Sequence, residues 1–122
     1  MNRNFTICLE DMIHNIELAE EYIRGMSINE LCNDKKTIYA VIRTIEIIGE
    51  AAKNVPKNIQ NQYDFPWSEI INNRNKLIHR YFHVENKKII SVIETYSKNI
   101  KPKLNIMLYN LYHKNNFYNT KN

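Results

Sequence analysis

The side chains best suited to chemistry lie in one short segment, residues 74 to 81, which reads Arg-Asn-Lys-Leu-Ile-His-Arg-Tyr. To cleave an RNA phosphodiester without a metal, a protein needs a group that activates the ribose 2′-hydroxyl or protonates the leaving 5′-oxygen. It also needs a cation that stabilises the phosphorane. His79 suits the proton transfer, and the guanidinium fork of Arg74 matches phosphate oxygens. Tyr81 can donate a hydrogen bond, stack on a base, or accept a group from a nucleotidyltransferase.

The helix that carries this segment is predicted to begin at Trp67 and to continue to about residue 80. At about 100° per residue, one apolar stripe contains Arg74 at its centre together with Trp67, Ile70, Ile71, Leu77, Ile78 and Tyr81. A guanidinium on an apolar face must meet a carboxylate or open onto a cleft, because burying it unpaired is very costly. Glu46 and Glu50, on the polar strip of the preceding long helix, are the candidate partners.

The direction of the two candidate catalytic side chains raises a geometric problem. Arg74 and His79 are five residues apart, so they point about 140° away from each other around a helix. A bend after His79, or a symmetric dimer, would bring them to one place. Asn75 lies one turn before His79, so its amide is expected to hydrogen-bond the imidazole and to select its tautomer.

The remaining sequence predicts an all-α domain. The chain has 122 residues, 43% of them hydrophobic, with only two Gly and three Pro, which favours long helices. Apolar periodicity predicts helices over about residues 4 to 24, 34 to 54, 67 to 80 and 85 to 113. Gly25 is expected to stop the first helix, Ser27 to cap a short turn, and Pro102 to kink or split the last helix. We therefore expect an antiparallel up-down bundle of four or five helices over residues 1–113, followed by a mobile polar tail over 114–122.

The second long helix has apolar residues on two sides. One stripe is expected in the core and consists of Ile38, Val41, Ile42, Ile45, Ile48, Gly49 and Ala52. The opposite stripe consists of Ala40, Ile47 and Ala51. A helix that is apolar on two sides is usually buried on two sides, which predicts a homodimer.

Charge and cysteine usage set limits on location and partners. The net charge of +4 permits binding to RNA or to an acidic partner without requiring either. Cys8 and Cys32 lack CxxC spacing and are expected to be buried reduced thiols of a cytoplasmic protein. No signal peptide and no apolar run of about 20 residues is visible, so no contact with a membrane is expected.

Three blocks of sequence resemble the HEPN superfamily, and specifically its HepT-like toxin family. The first is Arg74-Asn75-x-x-x-His79-x-Tyr81, and a preceding block reads Ala40-Val41-Ile42-Arg43-x-x-Glu46-Ile47-Ile48-Gly49-Glu50-Ala51-Ala52. The third is Pro66-Trp67-x-x-Ile70, which leads into Arg74. The resemblance extends over roughly residues 5 to 108. The sequence departs from the family pattern at Arg80, where the family often has a small residue. It also departs at Ser97-Lys98-Asn99-Ile100-Lys101-Pro102, which lacks the usual Asp-Leu-Pro run.

The resemblance implies a HEPN-type homodimer in which Arg-His pairs lie near a shared cleft. It implies a toxin with endoribonuclease activity, no cofactor, and an RNA substrate such as tRNA or mRNA. Arg74 and His79 would take the catalytic positions, with Asn75, Tyr81, Glu46 and Glu50 supporting the site. An antitoxin of the MNT nucleotidyltransferase type would neutralise the toxin by transferring AMP to Tyr81, since a bulky anionic adduct repels RNA.

The sequence also allows two other functions. His79 with His83, or Asp11 with His14, have spacings that can bind zinc or iron on a helix, although no third convergent carboxylate is apparent. The chain could also be a non-catalytic subunit that binds a nucleotide or a nucleotidyltransferase. In that case the pairing of Arg74 with Glu46 or Glu50 would be purely structural.

Overall fold

The fold is an assembly of helices around one long central helix. A computed structural model describes residues 4–80 and 84–121, which are helical with short connections and contain no strand. The helices are α1 (Asn4–Ile23), α2 (Ile28–Asn33), α3 (Lys35–Asn54), α4 (Lys57–Gln60), α5 (Trp67–Arg80), α6 (Asn86–Thr95) and α7 (Lys101–Lys121). A π-helical turn, Tyr96–Ile100, joins α6 to α7. The all-α prediction is confirmed for these residues, and the antiparallel up-down order stays a prediction.

The predicted signals between the first two long helices are confirmed. Gly25 has a φ of +79°, the left-handed conformation that glycine adopts at helix ends. The Ser27 hydroxyl accepts a hydrogen bond from the Glu30 N–H at 3.2 Å, and the Glu30 carboxylate accepts one from the Ser27 N–H at 2.9 Å. This reciprocal capping box starts α2. Asp34 then caps α3 through the Thr37 N–H at 3.3 Å.

The central helix α3 contacts α1, α5 and α6. The predicted core stripe of α3 is buried throughout: Ile38, Val41, Ile42, Ile45, Ile48, Gly49 and Ala52. Facing it are the buried residues Leu9, Met12, Ile16, Ile70, Leu77, Ile89 and Ile93. Trp67 is buried at the start of α5, where its indole N–H donates to the Gln60 carbonyl at 3.1 Å. The α3–α5 pair therefore forms the part of the core that positions the candidate site.

The predicted interruption at Pro102 takes the form of the π-helical turn over the five residues before α7. Proline cannot donate a backbone hydrogen bond and its ring crowds the carbonyl one turn earlier, and a π-turn is one way to accommodate this. Ser97 donates a hydrogen bond to Glu20 on α1, and Lys101 donates another at 2.8 Å. Burial alone would raise the pKa of Glu20, but the hydrogen bonds from Lys101 and Ser97 outweigh it and lower that pKa. The turn is thus attached to α1 through a carboxylate.

Two details of the sequence prediction are wrong. The last helix does not end near His113, because α7 continues to Lys121; the sequence after Pro102 has neither Gly nor Pro to stop it. Cys8 and Cys32 are free thiols but are only half-buried. The domain boundary at residue 113 and the mobility of residues 114–122 stay predictions. None of the described helices has the length and apolarity that crossing a membrane requires.

The helix α5 approaches the backbone of α3 closely at Gly49. A Cβ atom added at position 49 would overlap the Arg74 Cβ and would lie 2.9 Å from its Cγ and 3.2 Å from its Cδ. Since the overlapping atom belongs to the base of the side chain, no rotation of Arg74 relieves it. Only glycine permits this contact between the two helices.

We predict that Gly49→Ala destabilises the protein by about 1–3 kcal/mol through overpacking. Without this contact, alanine in place of glycine inside a helix normally raises stability by about 1 kcal/mol. A loss of stability in Gly49→Ala is therefore the sign of the close contact. Urea unfolding followed by circular dichroism measures it. The control repeats Gly49→Ala in a protein that carries Arg74→Gly. This variant lacks the opposing Cβ, so Gly49→Ala should lower its free energy of unfolding by less. A Gly49→Ala protein that is more stable than the wild type would contradict the close packing.

Candidate active site

Arg74 occupies a recess beside α3 and makes two polar contacts. Its Nη2 atom lies 2.7 Å from the Glu50 Oε2 atom, and its Nη1 atom donates to the Asn75 Oδ1 atom at 3.1 Å. The Arg74 side chain is only 21% exposed, as its position on the apolar stripe predicted. The prediction of a carboxylate partner is confirmed for Glu50. Glu46 lines the same depression as Arg74, but its Oε1 atom lies 3.8 Å from the Arg43 Nη1 atom of its own helix.

The contacts of Arg74 orient its cation more than they stabilise the fold. Glu50 is 52% exposed, and an ion pair open to water contributes at most about 1 kcal/mol. Arg74 is held in one orientation, because Gly49 fixes the aliphatic base of its side chain and two hydrogen-bond acceptors fix its guanidinium. Arg74 thus presents a fixed cation at the edge of an open depression, which Arg43, Ile47 and Ile78 also line.

His79 faces a different depression. It is exposed and lines this depression together with Asn72, Asn75 and Lys76. The structure therefore does not bring Arg74 and His79 into one pocket of a single chain, in line with the angular separation expected from their spacing. The amide oxygen of Asn75 accepts its hydrogen bond from Arg74, so Asn75 orients the cation and not the imidazole for which it was predicted.

The sequence predictions after His79 concern Tyr81 and His83. Tyr81, the predicted acceptor of AMP, and His83, part of a candidate metal pair, lie outside the described residues. Within the described ranges, no group of three or more His, Cys, Asp or Glu side chains is placed to hold a metal ion.

The surface around Arg74 carries exposed apolar side chains. Ile78, predicted on the buried stripe of α5, is 44% exposed, and Ile47 of the second stripe is only half-buried. Ala40 of the same stripe is also half-buried, whereas Ala51 is buried within the monomer. The second stripe of α3 is therefore partly used inside one chain and partly left open beside the cation.

Sequence reasoning missed two residues that hold a second face of α5, next to the face that carries Arg74. The Asn73 amide donates to the Tyr96 hydroxyl at 2.9 Å and so attaches α5 to the π-helical turn. Tyr96 is almost fully buried, and this burial raises its pKa to about 12. The two residues are far apart in sequence, so no local pattern indicates the bond. Gly49 did carry a signal, because a glycine inside a helix often marks a close packing contact.

The sequence is similar to a described protein family and to several of its members. A family model described as HepT-like, ribonuclease HepT-like, matches residues 12–107. The chain is 45% identical over 86 residues to a "Probable ribonuclease HepT" of Thermococcus cleftensis, covering 70% of this chain and 78% of that protein. A "Putative RNase" of Methanocaldococcus jannaschii is 38% identical over 86 residues, covering 70% of this chain and 71% of its own length.

A further relative from the same organism, also named "Putative RNase", matches over a greater length. It is 30% identical over 106 residues, which cover 86% of this chain and 97% of that protein. No solved structure matches the chain.

We predict that alkaline pH destabilises this protein partly through Tyr96. In the unfolded chain a tyrosine loses its proton near pH 10, whereas Tyr96 in the folded protein has a pKa of about 12. The stability contributed by the neutral phenol is therefore complete below pH 10 and is lost as the pH rises to 12. The loss is about 2–3 kcal/mol. Urea unfolding at pH 8 to 11 should show that the free energy of unfolding falls less with pH in Tyr96→Phe than in the wild type. Tyr109→Phe, at an exposed tyrosine, is the control. Equal declines in Tyr96→Phe and wild type would contradict the assignment.

Proposed function

The chain belongs to the HepT-like ribonuclease family, and on this basis we propose that it is the toxin of a toxin–antitoxin system and a metal-independent endoribonuclease. The observation that carries the proposal is the state of Arg74. Its cation is fixed by Gly49, Glu50 and Asn75 at the edge of an open depression, five residues before an exposed His79. A cation fixed in advance is what stabilises charge that develops on a phosphate during cleavage.

The proposed reaction is an internal transesterification of RNA. The ribose 2′-oxygen attacks phosphorus and the bond from phosphorus to the 5′-oxygen breaks, which leaves a 2′,3′-cyclic phosphate and a free 5′-hydroxyl. His79 removes the proton from the 2′-hydroxyl or gives one to the 5′-oxygen, and solvent water accepts or supplies the other proton. Arg74 stabilises the charge on the non-bridging oxygens of the phosphorane through its paired N–H donors.

A homodimer completes this site in the proposal. Arg74 and His79 of one chain line different depressions, so the pair that acts on one phosphate would combine Arg74 of one copy with His79 of the other. The exposed side chain of Ile78 and the half-buried side chain of Ile47 border the Arg74 depression, and a second copy packed there would cover them.

The proposed regulation acts on Tyr81, two residues after His79. A nucleotidyltransferase antitoxin of the MNT type would transfer AMP to its hydroxyl. The adduct adds both bulk and negative charge beside the site, and like charge repels the RNA backbone. The support for this step is the position of Tyr81 in the motif and the family membership of the chain.

We predict that the purified protein cleaves total tRNA or a model RNA in excess EDTA. His79→Ala should lower the rate by about 10²–10⁴-fold, the contribution typical of a positioned proton-transfer group. Arg74→Ala should lower it by about 10²–10³-fold, as loss of a charge-stabilising donor does. Lys53→Ala, at an exposed position on α3 that lines neither depression, is the control. Gel analysis of the products and of their 2′,3′-cyclic ends provides the measurement.

Mixing the two inactive variants tests the shared site. When Arg74→Ala and His79→Ala chains are co-refolded in equal amounts, about half of the dimers are mixed and each has one intact pair, so about a quarter of the wild-type rate should return. No recovery in verified mixed dimers would remove the shared site. A folded, unmodified dimer that leaves RNA intact would favour the non-catalytic, partner-binding subunit instead.

We also predict that the cognate nucleotidyltransferase and ATP add AMP to the wild-type protein and stop cleavage. Tyr81→Phe cannot accept the group, and it should keep both its mass and its cleavage rate under the same treatment. Tyr63→Phe, on the connection before α5, should be modified like the wild type. Intact-mass spectrometry with the RNA assay reads both effects. Full modification of Tyr81→Phe would place the acceptor elsewhere.

A further inference from the structure

A small cleft lies between α5 and α6 and is separate from the depression that Arg74, Glu46 and Glu50 line. Its volume is about 230 Å³, and Ile45 of α3 contributes to its floor. Leu77 of α5 and the α6 residues Ile89 and Val92 supply further apolar lining. Sites that enclose a drug-sized ligand occupy about 300–1,000 Å³, so this cleft has room for one ring system and not for a larger molecule.

The polar residues that line the cleft are basic or neutral. Lys76 and Lys88 are exposed at its edge, one from each helix, and no carboxylate is among its described lining residues. The third polar residue is Asn73, whose amide is held by the Tyr96 hydroxyl at 2.9 Å. A held amide offers a donor and an acceptor in a fixed direction, the combination that the edges of nucleobases require.

The cleft adjoins the depression that contains His79. Lys76 lines both the cleft and the depression that contains His79, Asn72 and Asn75. Lys76 and His79 are three residues apart on α5, so they are neighbours on the helix surface. An RNA strand with one phosphate at His79 would therefore pass Lys76 and bring an adjacent nucleotide to the cleft.

We propose that the cleft between α5 and α6 binds one nucleotide of the RNA substrate, adjacent to the phosphate that is cleaved. The base lies on the apolar lining and its edge meets the amide of Asn73. Lys76 and Lys88 bind the flanking phosphate. This inference rests on the proposed function, and it assigns base preference to residues outside the Arg74–His79 motif.

Binding measured without cleavage separates this inference from the nuclease activity. The probe is a fluorescein-labelled single-stranded RNA of mixed sequence, and the protein carries His79→Ala so that the RNA stays intact. Adding Lys88→Ala should weaken binding several-fold and reduce the slope of log affinity against log salt by about 0.7, as loss of one phosphate contact on a single strand does. Lys87→Ala is the matched control, because Lys87 is an exposed neighbour in the same turn and does not line the cleft.

A second variant fills the cleft without changing charge. Val92→Phe, at a half-buried position, should weaken binding about tenfold and flatten the preference among RNAs that differ at one base, with thermal melting to verify the fold. Equal effects of Lys87→Ala and Lys88→Ala, together with an unchanged base preference in Val92→Phe, would overturn the cleft while leaving the nuclease intact. Wild-type protein that neither binds nor cleaves RNA would overturn the proposed function and the cleft together.

Discussion

Where α5 crosses α3, the base of the Arg74 side chain lies directly against the backbone at Gly49. The absence of a Cβ at that point sets how closely the two helices pack, and it therefore sets the position of every side chain on α5. The next residue along α3 is Glu50, whose carboxylate pairs with the same arginine. One turn of α3 thus admits the arginine and also neutralises its charge. This pairing offsets part of the cost of holding a half-buried cation before any substrate is present.

A neighbouring face of α5 is held by a second, independent set of contacts. Asn73 binds the buried Tyr96 hydroxyl, and Tyr96 begins the π-helical turn that Ser97 and Lys101 attach to Glu20 of α1. The charged network lies near the surface and the neutral phenol lies inside, an arrangement that follows the cost of burying charge. Helix α5 is consequently fixed from both α3 and α1.

The periodicity of apolar residues was sufficient to predict the helices and the core face of α3, because burial repeats with the helical period. The cost of an unpaired cation was sufficient to predict a carboxylate beside Arg74. The choice of Glu50 over Glu46 depends on how the two helices are aligned along their axes, and a one-dimensional pattern does not contain that alignment. The same limit applies to the bond between Asn73 and Tyr96, which is formed by folding. The end of α7 was missed for another reason, since polar composition suggested a tail where nothing in the sequence breaks the helix.

The two candidate catalytic residues differ in how many contacts they make with the rest of the fold. A mutation at one or the other therefore has different consequences for the protein. Arg74 is in contact with Gly49, Glu50 and Asn75, so changes there disturb the packing of α5 as well as the chemistry. His79 is exposed at the surface, and its replacement leaves the helix contacts in place. Replacement of His79 is therefore expected to remove a candidate catalytic group from a chain that stays folded. A side chain in place of Gly49 acts instead through the packing of α5 against α3, so it changes the stability of the fold and the position of Arg74 together.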